Sequence, residues 1–128
     1  MRLLLDTHAF LWFMEGDQRL SVAAKELIEQ PSNELFLSVG SLWEMAIKIS
    51  LGKLILSATL DEVGTTWLSN SSIRMLGITI EHLKRVAEMP FLHRDPFDRL
   101  IVAQGAVDNL IILSADGIFE LYGVQRRW

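Results

Sequence analysis

Four carboxylates stand at the points of this sequence where chemistry is expected. Asp6 ends the apolar run LLL (3–5), and Asp116 follows the run LIILS (110–114) by two residues. Glu44 lies in SLWEMAIK (41–48), and Asp98 in HRDPFDRLIVAQG (93–105). Hard oxygen donors suit Mg²⁺ or Mn²⁺, which keep several waters and bind through a few carboxylates together with a substrate phosphate. Four acids at one edge of a fold also concentrate negative charge, at a cost that a cation removes. Each acid has a local reading as well. Asp6 reads as a cap on the next helix, Glu44 as the end of a Ser41-x-x-Glu44 capping box, and Asp116 as a turn residue before Gly117. In HRDPFD, Asp95 reads as the N-cap, Pro96 as the first helical residue and Asp98 as a first-turn acid facing the helix dipole. Both readings of Asp98, dipole partner and metal ligand, stay open at this level.

The other candidates are fewer. Thr7 and Ser114, each near a site acid, are positioned to orient carboxylates or waters, or to serve ordinary turn chemistry. Arg94, Arg99 and Lys48 are candidate contacts to substrate phosphates. Lys48 stands four residues after Glu44 and reads first as its i,i+4 partner. The absence of cysteine removes disulfides and thiolate metal sites. His8, His82 and His93 show no HExxH or paired spacing, so zinc is not expected. His8 is expected to pack near the first helix start. A net charge of −4 argues against holding nucleic acid by bulk electrostatics, but leaves open a site that recruits phosphate through a cation.

Positioning these residues requires a sheet. Apolar runs at 3–5, 35–38 and 110–114 read as buried strands, with MLGITI (75–80) as a third strand candidate or a strand running into a helix start, and VQRRW as a short edge strand. Helical spacing appears at 20–29, from Ser41 to a stop at Gly52 (Leu42, Met45, Ala46, Ile49), after the Thr59/Glu62 capping signature, at Leu83, Val86 and Ala87, and from about Pro96 to Asp108. HAFLWFM (8–14) is apolar on every face and must be buried in the core or covered by another chain. SNSS (69–72) reads as a loop. Half of the 128 residues are hydrophobic, yet no run approaches the roughly 18 residues a membrane span needs. The expectation is one cytoplasmic α/β domain over 1–128, its mostly parallel sheet covered by helices on both faces. Ligands in such folds bind outside the carboxyl ends of the strands. There the four acids can converge.

In this order, LLLDTH, SLWEMAIK, HRDPFDRLIVAQ and LIILSAD resemble PIN-domain proteins of the VapC toxin type over essentially the whole chain. The resemblance implies a three-layer α/β/α sandwich and a ribonuclease that is the toxin of a type II toxin–antitoxin pair. It implies a Mg²⁺- or Mn²⁺-dependent site at Asp6, Glu44, Asp98 and Asp116, a homodimer, and an antitoxin segment in a groove near the site. Asp6, Asp98 and Asp116 would be the main ligands, directly or through water, with Glu44 a ligand or a water-orienting base. Asp95 matches none of these acids and is assigned to the helix cap. Competing readings are a free-standing PIN nuclease in RNA processing and a non-catalytic protein-interaction module whose acids only cap helices. A phosphoacceptor receiver is disfavoured, because Asp6 stands alone where an acid pair is needed.

Overall fold

The computed structural model describes residues 1–69 and 72–128. In chain order the elements are β1 (Arg2–Leu5), α1 (Thr7–Glu15), α2 (Val22–Glu29), β2 (Glu34–Ser38) and α3 (Val39–Ser50). Then come α4 (Leu60–Glu62), which runs into a π-helical segment (Val63–Leu68), β3 (Ile73–Leu76), α5 (Ile80–Glu88) and α6 (Pro96–Val107). β4 (Ile111–Leu113), a 3-10 helix (Gly117–Tyr122) and β5 (Arg126–Arg127) complete the order. The strands form one parallel sheet in the order β3-β2-β1-β4-β5.

β1 shows why. Leu3, Leu4 and Leu5 have no exposed surface. Leu3 and Leu5 join one core with Phe10 and Met14 of α1 and Ala24 and Ile28 of α2, while Leu4 joins a second core with Ile101 and Val102 of α6 and Phe119. Side chains alternate across a strand, so an unbroken apolar run demands helices on both faces. The result is the expected three-layer sandwich.

From β1 the chain winds outward through β2 to β3, then returns to place β4 on the other side of β1. Strand order therefore reverses at β1/β4, where Leu5 pairs Leu113. A crevice opens outside the carboxyl ends at such a switch point. Asp6 and Ser114 are the next residues on the two strands.

Several local expectations need correction. α3 starts at Val39, capped by the Ser38 hydroxyl accepting from Gly40 N at 3.0 Å. Glu44 is therefore in the second turn, outside any Ser41 capping box. The third strand is Ile73–Leu76, two residues earlier than MLGITI begins, and of the two readings of that stretch the strand running into a helix start holds, because Thr79 caps α5 and ends the extended run. On α5 the buried residue is His82, whose ring closes a capping box with Thr79, while Leu83 is half exposed. HAFLWFM forms α1, with Ala9, Phe10, Leu11 and Met14 buried and Trp12 and Phe13 packed against the core. Burial within the chain thus accounts for it. Residues 70 and 71 of the SNSS patch lie outside the described residues.

Gly40 sets the approach of α3 to α6. A Cβ built there would collide with Leu100 Cδ2, so the bare backbone lets the two helices close up. That approach sets the spacing of the two helices that carry Glu44 and Asp98.

Candidate functional site

Asp6 continues β1 into the first turn of α1. Its N–H donates to Leu113 O at 3.1 Å, extending the ladder one residue past the strand. Its Oδ1 caps α1 by accepting from Ala9 N at 2.7 Å, and its Oδ2 accepts a short hydrogen bond from the Ser114 hydroxyl. Only 6% of Asp6 is exposed. Burial pushes its carboxyl above the usual range, the Ser114 and Ala9 bonds oppose that shift, and repulsion from Asp116 adds to it.

Ser114, fully buried at the end of β4, also accepts from Asp116 N at 3.0 Å. One hydroxyl thus ties two acids together. Asp116 is exposed and caps the 3-10 helix through Oδ1, which accepts from Ile118 N at 2.9 Å. The capping reading of Asp6 is correct, Asp116, read as a turn residue, caps the 3-10 helix, and each leaves a second carboxylate oxygen outside the cap.

In the HRDPFD stretch the cap falls to Asp95, as expected. Asp95 Oδ1 accepts from Phe97 N at 2.8 Å and from Asp98 N at 3.2 Å, so Asp95 is the cap. The Asp98 carboxylate turns elsewhere, and its Oδ2 lies 2.8 Å from His93 Nε2. The Asp98 pKa is pushed up to about 6, chiefly by burial and in smaller part by repulsion from Asp95 and Asp6, against the lowering effect of the His93 hydrogen bond. Ligand atoms of His93, Asp98 and Asp116 all lie within 4.8 Å of one another. Two carboxylates and an imidazole come together there, a donor set that fits a divalent cation, while the buried Asp6 stands outside that group and reaches Asp98 through charge repulsion.

His93 is the residue that sequence reasoning missed. It stands five positions before Asp98, outside the helix, where no periodicity flags it. Its segment is held by the Tyr122 hydroxyl, which accepts from Leu92 N at 3.1 Å and His93 N at 2.8 Å. Arg99 strengthens the same corner. Its guanidinium donates to Pro90 O (3.0 Å), Val86 O (3.1 Å) and the Tyr122 hydroxyl (3.3 Å), and lies 4.3 Å from the Phe91 ring centroid. With 6% exposure, Arg99 is withdrawn from the candidate RNA contacts. It is instead the strut of the α5–α6 corner. Arg99→Ala should destabilise the chain by about 2–4 kcal/mol, since it strands two carbonyls and removes charge-assisted bonds. Arg99→Lys should recover little of that, because an ammonium cannot reproduce the planar fork. Urea unfolding measures both, and wild-type midpoints would refute the assignment.

Glu44 sits slightly apart. It is buried, Oε1 accepts from the Thr7 hydroxyl at 2.6 Å, and Oε2 pairs with Lys48 Nζ at 2.9 Å. The Thr7 hydroxyl also lies 3.0 Å from that of Ser41. Lys48 is the i,i+4 partner that its spacing suggested. Arg94 is exposed, and His8 stacks on Trp12 at 5.5 Å.

Comparison with known proteins adds the family. No curated protein sequence matches. Among solved structures, the chain resembles one from the VapBC2 complex of Rickettsia felis bound to a promoter DNA fragment, with TM-score 0.73, 13% identity and coverage of 99% of this chain and 98% of that one. It also resembles chains of VapBC from Salmonella typhimurium bound to DNA (0.69, 13%, 99% and 97%) and of VapBC-1 from nontypeable Haemophilus influenzae (0.68, 16%, 99% and 97%). At such identities these likenesses speak for the fold. The model of the PIN domain matches residues 3–124, a span holding every acid of the crevice, and the chain belongs to the PIN-domain family.

Proposed function

We propose that this chain is a divalent-metal-dependent endoribonuclease and the toxin of a type II toxin–antitoxin pair. The observation that carries the nuclease reading is the meeting of His93, Asp98 and Asp116 within 4.8 Å beside a buried Asp6 at the switch point of the sheet. Asp6, Asp98, Asp116 and His93 would hold Mg²⁺ or Mn²⁺. When bound, such a cation supplies Lewis-acid polarisation of a phosphoryl oxygen and a lowered pKa for an attacking water.

The chain's own residues do the rest. Ser114 fixes the free oxygen of Asp6 and the backbone of Asp116, so two donors move as one body. Thr7 and Glu44 pin the first turn of α1 to α3, which holds the direction of Asp6. Glu44, whose charge is met by Lys48 at 2.9 Å, is read as orienting water rather than as a direct ligand. Arg94 is left to meet RNA phosphate.

The toxin reading is supported by the likeness to VapBC chains. No described helix is long and apolar enough to cross a membrane, which agrees with a cytoplasmic site of action. Self-association into a homodimer is supported by the apolar face that α5 leaves in solvent at Ile80 and Leu83.

Purified protein should cut single-stranded RNA in Mg²⁺ or Mn²⁺ and stop in EDTA. Cleavage indifferent to the chelator would sink the metal reading. Growth arrest on expression should be relieved by a small protein encoded beside the gene. If no adjacent small gene relieves it, the free-standing processing nuclease becomes the better account.

A further inference from the structure

We propose that the Trp43 indole is a stacking platform for one unpaired nucleobase of the RNA substrate, beside the acid site. The inference rests on the nuclease reading above. Trp43 immediately precedes Glu44 on α3, and Phe97 immediately precedes Asp98 on α6. The close approach at Gly40 and Leu100 lets their rings meet edge to face, with centroids 5.4 Å apart and planes at 82°. Two of the helices that carry site acids are thus bridged by an aromatic pair at their solvent side. Phe97 props the indole in place, so little rotamer freedom remains to be lost on binding.

Exposure and charge point the same way. Trp43 is 60% exposed, whereas Trp12, Trp67 and Trp128 are all partly buried. Single exposed apolar residues are ordinary, and position is what separates this one. The chain carries a net charge of −4, Lys48 is paired to Glu44, and Arg99 is buried. Phosphate attraction at the crevice is thus left to Arg94 and a bound cation, which makes room for uncharged contacts to add affinity. Base–aromatic stacking is the sequence-tolerant contact of that kind.

Other rings outside the core are already engaged, and Phe91, 74% exposed and two residues before His93, has the Arg99 guanidinium 4.3 Å from its centroid. Trp12 is stacked by His8, has the Arg19 guanidinium 5.1 Å from its centroid, and meets Trp128 at 5.8 Å. Its ring is already in use. Bases within a duplex are stacked on one another, so a platform at Trp43 selects single-stranded or looped RNA.

The test is steady-state cleavage of a short single-stranded RNA in Mn²⁺ by wild type, Trp43→Ala and Trp43→Phe. Trp43→Ala should raise KM roughly ten- to hundredfold with kcat within about threefold, and Trp43→Phe should keep most of the affinity. An abasic nucleotide near the cut should impose the same KM penalty on wild type and none further on Trp43→Ala. An unchanged KM in Trp43→Ala would overturn the proposal. So would a shift of oligomeric state in sedimentation, which would make the indole a contact between chains. Quenching of tryptophan fluorescence by the same RNA in EDTA should be lost in Trp43→Phe. Quenching that survives in Trp43→Phe overturns the platform. Should wild type cut no RNA, the nuclease reading fails by itself, and the quenching still decides the platform.

Discussion

Asp98→Asn should reduce RNA cleavage by at least a hundredfold at saturating Mn²⁺, while Asp95→Asn should leave it within about threefold. The two acids are three residues apart, but their carboxylates do different work. Asp95 accepts from two backbone N–H groups at the head of α6, a task that asparagine performs nearly as well. Asp98 turns its carboxylate toward His93 and Asp116, where charge and oxygen donors are both needed. Losing a partner outside the coordination shell typically costs 10- to 100-fold in metal affinity or activity, so losing a direct ligand should cost at least the upper figure. Folding is not the confounder, because a near-isosteric amide leaves the helix and its cap in place. Equal losses in the two variants would mean that Asp95 also faces the chemistry. No loss in Asp98→Asn would remove the acid cluster from the mechanism altogether.

The second expectation needs no RNA. At pH 7 in EDTA, Asp98→Asn should melt higher than wild type, and the gap should close as the pH falls below about 6. The sign follows from the direction of the shift. Burial has raised the folded-state pKa of Asp98 to about 6, above the ordinary value near 4 of an unfolded chain. The folded protein therefore binds this proton more tightly. That stabilisation is fully present below the unfolded pKa and is lost as pH rises through about 6. At neutral pH the ionised carboxylate costs on the order of 1–3 kcal/mol, which the amide avoids. Asp6, also raised by burial, is freed from repulsion by Asp98 in the variant, which adds to the gap in the same direction. Mn²⁺ should stabilise wild type by about 2.7 kcal/mol at a hundred times Kd, and the variant by less. If Asp98 served only the helix dipole, the variant would melt lower in EDTA, and Mn²⁺ would move neither protein.

Much of this architecture was legible because the apolar runs are unambiguous. LLL, LFLS and LIILS cannot be half-exposed strands, and a parallel sheet places their ends together. The acids that follow those ends were therefore findable before any coordinates. What escaped depended on contacts between segments far apart in sequence. His93 lies in an irregular stretch and acquires its position from Tyr122, 29 residues later. Arg99 looked like a phosphate contact because a charged residue near a helix start is normally solvated. Its burial depends on the carbonyls of Val86 and Pro90, released where α5 ends. On α5, apolar spacing suggested a face including Leu83, yet His82 is the buried residue because its ring serves both the cap and Asp108 Oδ2, 2.8 Å from Nε2. Glu44 was found for its charge, but its turn of the helix was misjudged because Ser38, not Ser41, supplies the cap.

The hydroxyl that joins Asp6 to Ser114 spans 108 residues of sequence. During synthesis the chain makes its first acid early and must wait for β4 before that acid has its partner. Closing so long a loop is entropically costly, and pairing of distant parallel strands is among the slower events in folding. A nascent chain still lacking β4 has the first acid, the Trp43 helix and even Asp98, but no assembled crevice. The order of residues along the chain thus acts as a delay. On the proposed nuclease reading, the crevice would be unable to act until the domain is nearly complete.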